Sequence, residues 1–299
     1  MSWRTVIISS QSKLDYRMGY LVVRGMETQR VLLEEISVLV LETPAISLTG
    51  CLIEALTENK TKVIFCDSRR NPVAELVPHH GSHDSSAKIR TQISWKYETK
   101  AVIWREIVSE KIRKQAGFLN SLGKNAEAQL LSSYVEQVEL ADASNREGHA
   151  AKVYFNALFG MDFTRSAPTP VNAALNYGYS ILLSQFNREI SANGYLTQLG
   201  IFHGNMFNHF NLGSDLMEPF RIIVDRKVFS MKLEKFEKEE KHQLWGLGDI
   251  QVEMDGTRQT LPNAIRMYTK SVLDAIADED ASEIRFYENT NEDCVGYVL

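Results

Sequence analysis

The chain has 299 residues, 44% of them hydrophobic, enough to bury a substantial core and to divide into two domains. Three widely spaced cysteines, Cys51, Cys66 and Cys294, argue against a disulfide framework and against a zinc ribbon. The net charge is −5, but it is unevenly distributed along the chain. From the amino end, residues 5–9, 20–24, 30–33 and 38–41 read as strands, rich in Val, Ile, Leu and Tyr, with turn residues such as Met18-Gly19 between them. Ser47 opens a short helix to Leu56, and residues 63–66 form a compact apolar strand followed by the turn Ser68-Arg69-Arg70-Asn71-Pro72. Pro78-His79-His80-Gly81-Ser82-His83-Asp84-Ser85-Ser86 marks a linker, after which long helical patterns begin with residues 87–122. The expected fold class is α+β: a small N-terminal β-rich domain (residues 1–80), a linker (81–86) and a larger all-α domain (87–299).

Between Lys88 and Lys114 eight basic residues (Lys88, Arg90, Lys96, Lys100, Arg105, Lys111, Arg113 and Lys114) face three acids, a net of +5. From Ser271 to Leu299 one arginine faces eight acids, a net of −7. The basic stretch is a candidate phosphate-binding face, with a plain solvated helix surface as the alternative. No run of about 18 apolar residues offers a membrane span. Met1-Ser2-Trp3-Arg4 lacks the basic flank and apolar stretch of a secretory signal, so a cytoplasmic protein without membrane contact is expected. There is no phosphate-binding Gly-x-x-x-x-Gly-Lys-Ser/Thr loop, Rossmann glycine pattern or Gly-x-Ser-x-Gly elbow, which argues against ATP, nicotinamide and a serine nucleophile.

Glu147, His203 and Glu218 stand in unusual frames: Ser144-Asn145-Arg146-Glu147-Gly148-His149-Ala150-Ala151, Gly200-Ile201-Phe202-His203 and Asp215-Leu216-Met217-Glu218-Pro219-Phe220-Arg221. Two carboxylates and an imidazole suit one Mg²⁺ or Mn²⁺. Ser144-x-x-Glu147 also fits a helix capping box. Yet Ala150, Ala151, Tyr154 and Leu158 continue the face of Glu147 as an apolar stripe, where a carboxylate needs a cation or a hydrogen bond. Capping and metal binding remain compatible. His149 lies about 200° from Glu147 on a helix and is a poor partner for it. His79, His80 and His83 read as solvated linker histidines. Ser214 can cap a turn that makes Asp215 an ordinary first-turn acid. Arg146 and Arg221 either face a phosphate or pair with a nearby carboxylate. Tyr177 and Tyr179 read as packing residues, and Trp95 and Trp104 as core or interface anchors.

These frames together resemble the CRISPR-associated integrase, the catalytic subunit of the spacer-acquisition complex, and look most similar to its type II branch. Trp3-Arg4-Thr5-Val6, Ser12-Lys13-Leu14, Pro170-Val171-Asn172-Ala173-Ala174-Leu175-Asn176-Tyr177-Gly178-Tyr179 and Asn211-Leu212-Gly213-Ser214-Asp215 extend the likeness over residues 3–226. The resemblance implies a metal-dependent DNA integrase and endonuclease in which Glu147, His203 and Glu218 hold the Mg²⁺ or Mn²⁺ and Asp215 is a supporting acid. Candidate DNA contacts are Arg146, Arg221, Lys88, Arg90, Lys96 and Lys100. Its substrates would be double-stranded prespacer DNA and the CRISPR leader-repeat. Its partners would be a second copy through the β domain, a small ferredoxin-like adaptation subunit and the type II RNA-guided nuclease. The commoner family pattern has Asp where this chain has Glu218. A nuclease of branched DNA without integration, and a non-catalytic DNA-binding scaffold, are the competing readings.

Overall fold

The computed structural model describes residues 4–77 and 82–288. Trp3, His79, His80, Cys294 and the acidic end beyond residue 288 lie outside them. The first part is built from β1 (Arg4–Ile8), β2 (Ser12–Arg17), β3 (Tyr20–Arg24), β4 (Thr28–Leu32), β5 (Ile36–Leu41), β6 (Ile46–Leu48), α1 (Gly50–Glu58), β7 (Lys62–Cys66) and β8 (Pro72–Glu75). β4, β3 and β2 form an antiparallel meander, with β6 parallel to β2 at its edge. β1, β5 and β7 are parallel, and β8 adds an antiparallel edge.

Every residue of β5 is buried, as expected of a parallel strand covered on both faces. Leu39 and Leu41 pack with Ile8, Leu52, Leu56 and Val63 inside the β-rich part. The alternate residues, Val38 and Val40, join Ile64 and Cys66 in the large core of the helical part. The two parts therefore share a packed apolar layer.

The second part comprises α2 (Ser85–Ile93), α3 (Tyr97–Ser121), α4 (Asn125–Val135), α5 (Arg146–Phe159), α6 (Pro170–Ala192), α7 (Asn211–Leu216), α8 (Arg221–Met231), α9 (Lys238–Trp245), β9 (Gln251–Met254), β10 (Thr257–Thr260) and α10 (Leu261–Ala277). The single helix expected over residues 87–122 is two, because Lys96 is extended (φ −66, ψ 142) and Trp95 turns aside to pack on Tyr195 at 5.7 Å. α2 starts at Ser85, inside the expected linker. The larger domain is not purely helical: β9 and β10 form a hairpin whose turn, Asp255-Gly256, takes positive φ at both residues (51 and 68). α3 is the central element, burying Trp104, Ile107, Val108, Lys111 and Ile112 on one side. α6 starts on a Thr169 cap with Pro170 in its first turn. Its Gly178 lets α8 come close, since a Cβ there would meet Val224 Cγ1 at 2.4 Å.

A buried carboxylate ties the two parts together. Glu42, just after β5, accepts from Arg70 Nη1 (2.8 Å) on the β7–β8 turn and contacts His242 Nε2 (2.8 Å) on α9. Beside it, Lys241 Nζ donates to the Arg69 carbonyl (2.7 Å), and the Tyr177 hydroxyl donates to the Arg70 carbonyl (3.2 Å). Glu42→Ala leaves Arg70 and His242 without their shared acceptor and opens a void in a fully buried position. The variant is expected to lose roughly 3 kcal/mol in urea denaturation, with full secondary structure retained in dilute buffer.

Candidate active site

Glu147 lies in the first turn of α5, and the backbone before it is shaped to put it there. Ala141, Asp142 and Asn145 all take positive φ (54, 49 and 52). This tight path brings the Asp142 carboxylate under the helix start, where it accepts the N–H groups of Arg146 (2.7 Å) and Glu147 (3.0 Å). Asn145 caps Gly148 N–H at 3.3 Å. The capping box considered at Ser144 does not form. Ser144 Oγ donates to the Gln137 carbonyl, leaving the Glu147 side chain free to turn outward to Lys111. The stripe below it, Ala150, Tyr154 and Leu158, is buried as its spacing required, with Ala151 half-buried.

Glu218 follows α7 in a short 3₁₀ turn with Pro219 and Phe220, and its side chain is only 3% exposed. Oε1 accepts from Arg221 Nε at 2.9 Å. Oε2 pairs with Lys111 Nζ at 2.5 Å. The same ammonium donates to Glu147 Oε1 at 2.5 Å. One lysine from the middle of α3 thus bridges the two carboxylates. Burial works against the Lys111 ammonium, but Glu218 and Glu147 outweigh it and hold its pKa above the ordinary lysine value. Burial likewise raises Glu218, and Arg221 with Lys111 overcomes it, leaving that carboxyl below its ordinary range.

His203 sits on the loop between α6 and α7. Its Nδ1 lies 2.5 Å from Asp215 Oδ1, and its Nε2 makes no hydrogen bond among the described residues. Asp215, fully buried, also accepts the backbone N–H groups of Ile201 (2.6 Å), Phe202 (3.0 Å) and His203 (3.1 Å). The loop can wrap this tightly because residue 200 is glycine: a Cβ there would stand 2.4 Å from the His203 carbonyl and 2.7 Å from Asp215 Oδ2. Trp104 stacks on Phe202 (4.6 Å, 4°) and meets the His203 ring edge-on at 5.7 Å, fixing the ring's other side. The Asp215 contact raises the His203 pKa against the effect of its burial, and Glu218 and Glu147 add to the rise. Asp215 itself is pushed up by burial, with His203 and the backbone amides pulling it back. Ser214 does not cap the turn; it accepts from Asn208 Nδ2 (3.3 Å).

The other expected residues divide. Arg221 pairs inward with Glu218, and its guanidinium lies 4.6 Å over the Tyr179 ring. Arg146 lies 5.4 Å over the Tyr134 ring, and His149 is exposed 6.4 Å from the same ring. Lys88 pairs with Asp84 (3.2 Å) and Lys96 with Glu279 (2.6 Å), while Arg90 is exposed and Lys100 half-buried. The basic face is smaller than the charge count suggested, since Lys111 and Lys114 point inward, Lys114 donating to the Tyr287 carbonyl at 2.6 Å. Three residues of the site went unnoticed in the sequence: Lys111 as the bridging cation, Asp142 as the cap of α5, and Asp225, which accepts the Tyr179 hydroxyl behind Arg221.

The donors fit a divalent cation in kind. Two carboxylates already share one positive charge, and the imidazole is oriented through Nδ1 with Nε2 making no hydrogen bond among the described residues. As they stand, no three His, Cys, Asp or Glu side chains among the described residues close into a metal site, and Lys111 pairs with both Glu147 and Glu218.

Two substitutions test this geometry. Asp215→Asn sets an amide N–H₂ against inward-pointing donors, so amide exchange at Ile201 and Phe202 should rise by roughly tenfold or more in hydrogen-exchange mass spectrometry. Asp225 is fully buried with a pKa raised from 3.8 to about 6, chiefly by burial. The folded state therefore holds that proton more tightly than the unfolded chain. Its stabilising effect is complete below the ordinary aspartate value and is lost as pH rises through about 6. Asp225→Asn keeps an acceptor for Tyr179 without the titration, so it should gain up to about 3 kcal/mol on wild type between about pH 4 and pH 7 in urea denaturation.

Comparisons with known proteins place the whole chain. The family model described as "CRISPR associated protein Cas1" matches residues 5–245, a span that contains Lys111, Glu147, His203 and Glu218. A protein of Neisseria meningitidis serogroup C (strain 8013) named CRISPR-associated endonuclease Cas1 is 34% identical over 232 residues, 77% of this chain and 76% of that one. Among solved structures, a casposase bound to integration product is similar with a TM-score of 0.75 at 17% identity, over 96% of this chain and 94% of that one. A chain of a Cas6-RT-Cas1–Cas2 complex matches with a TM-score of 0.71 at 17% identity, over 94% of this chain and 36% of its own length. On the extent of the family match and the identity to the Neisseria protein, the chain belongs to the Cas1 family.

Proposed function

We propose that this protein is a divalent-metal-dependent DNA integrase and endonuclease of CRISPR adaptation, of the type II branch. A prespacer 3′-hydroxyl would attack a phosphodiester at the edge of a CRISPR repeat. The observation that carries the reading is the meeting of Glu147 and Glu218, from different elements, on one cation beside an imidazole oriented by Asp215. It is supported by the endonuclease name of the Neisseria relative and the integration product in the casposase structure.

Glu147, Glu218 and His203 Nε2 would hold the Mg²⁺ or Mn²⁺. When bound, that ion supplies Lewis-acid polarisation of the phosphate and charge stabilisation at the leaving oxygen. The chain's own residues do the rest by position. Arg221 fixes one oxygen of Glu218, so the other is presented to the site. Asp215 and the Trp104 face hold the imidazole at one angle. No side chain need form a covalent bond to DNA, because the prespacer brings its own nucleophile. The same groups would accept water in place of the hydroxyl, which gives nuclease activity as a side reaction, and would also reverse the joining.

The proposed assembly is a homodimer through the β-rich part, two such dimers being joined by a small ferredoxin-like subunit. The Cas1–Cas2 composition of the similar complex supports that partner. Functional coupling to the type II RNA-guided nuclease belongs to the same proposal. The first test is strand transfer of labelled prespacer into a supercoiled plasmid bearing the leader and repeat, with Mn²⁺ and the small subunit present. Glu218→Ala should reduce label joined at the repeat boundary by at least about a hundredfold, with DNA binding retained. Cleavage without joining would favour a plain nuclease, and equal joining by wild type and variant would rule out this site.

A further inference from the structure

We propose that Lys111 is a built-in counter-cation: its ammonium holds Glu147 and Glu218 together in the metal-free protein and leaves that position when the divalent ion binds. The inference rests on the metal reading above and adds to it a residue that positions the ligands.

The geometry is specific. Nζ stands 2.5 Å from Glu147 Oε1 and 2.5 Å from Glu218 Oε2, and the lysine side chain is only 11% exposed. It arises from the middle of α3, seven residues after Trp104, on the face that α3 turns to the core. Glu218 is nearly as buried as Asp215, and the partner of its Oε2 is this ammonium. Two partly desolvated carboxylates brought to one point would repel each other without a cation between them. The ammonium meets that need and, as a compact charge on a four-carbon stem, can swing away while α3 stays fixed.

It must swing away for an ion to bind. A divalent cation takes carboxylate oxygens at about 2.1 Å, on the same lone pairs that now face Nζ. Ion and ammonium would then be within about 3 Å of each other, a repulsion no carboxylate pair in a half-wet site offsets fully. Metal and lysine therefore compete for one position. The competition lowers metal affinity and in return keeps the ligands gathered before the metal arrives. Arg221 does not share this role, since it holds the other oxygen of Glu218 and need not move.

The test uses the full chain without DNA. Mn²⁺ is titrated by calorimetry into wild type, Lys111→Met and Glu147→Gln, and each is melted with and without Mn²⁺. Lys111→Met should melt lower than wild type without metal, bind Mn²⁺ roughly tenfold more tightly or better, and show the larger rise in Tm on Mn²⁺ addition. Equal or weaker Mn²⁺ binding by Lys111→Met, with wild-type binding lost in Glu147→Gln, would overturn the counter-cation and leave the metal site standing. Mn²⁺ binding that ignores Glu147→Gln, or none at all, would overturn both. Should Lys111→Met fail to fold, wild type decides: acylation of Lys111 by an N-hydroxysuccinimide ester, followed by peptide mass spectrometry against exposed Lys232, should speed up on Mn²⁺ addition. Unchanged reactivity would overturn the proposal.

Discussion

The active region is organised around the cost of burying carboxylates. Asp215 and Glu218 lie almost wholly out of water, where an ionised carboxylate without partners is strongly unfavourable. The two are compensated in different ways, and the difference separates their roles. Asp215 has both oxygens saturated by three backbone amides and an imidazole, so it has no capacity left for a ligand and serves as a rigid anchor. Glu218 has one oxygen fixed by Arg221 and the other paired with the Lys111 ammonium.

The rest of the fold sets these groups at fixed distances. α3 brings Trp104 and Lys111 to the site from one rigid rod, so the imidazole wall and the bridging ammonium are set by a single element. α5 brings Glu147 through a left-handed path capped by Asp142, and the α6–α7 loop brings His203 by folding onto Asp215. With the turn that carries Glu218, three separate stretches thus meet on α3. The β-rich part is not a loosely tethered appendage to this assembly. Val38 and Val40 are packed into the helical core, and Glu42, Arg70 and His242 close the junction beside α6, whose Tyr177 reaches the same turn. A rearrangement of the β-rich part would therefore be felt in α6, and α6 carries Tyr179, over which Arg221 lies.

Much of this was legible in the sequence, and the misses have physical causes. β3 and β5 stood out because their apolar residues are dense, and the three candidate-site frames because glycine, histidine and acid spacings are unusual there. Gly-x-x-His is explained by crowding: Gly200 lies against both the His203 carbonyl and Asp215. β2 was missed because only Ser12 and Leu14 of its six residues are buried, too few for an alternation to register. The β9–β10 hairpin was missed although Asp255-Gly256 is a strong turn signal, because the surrounding helical patterns dominated the reading. Lys111 was counted with a basic surface since a charge tally ignores direction. Its spacing from Trp104 and Ile107, seven and four residues, places it on the inward face, and that signal was available. Asp142 acts through positive-φ residues that no pattern of residue types announces.

At position 218 the resemblance pointed to aspartate as the commoner residue, and the geometry accommodates the glutamate this chain has. Glu218 leaves a 3₁₀ turn just past the end of α7, with Pro219 fixing the backbone and Arg221 three residues on drawing one oxygen back toward α8. A side chain tied at one oxygen must still span from that turn to the α3 face, where Glu147 already waits. The extra methylene supplies that reach without moving Pro219 or the buried Phe220, which packs on Phe186, Tyr268 and Tyr287. Shortening the side chain would force a choice between the Arg221 contact and the shared cation. In this chain the two are compatible, and the division of one carboxylate between Arg221 and Lys111 keeps its side chain ordered.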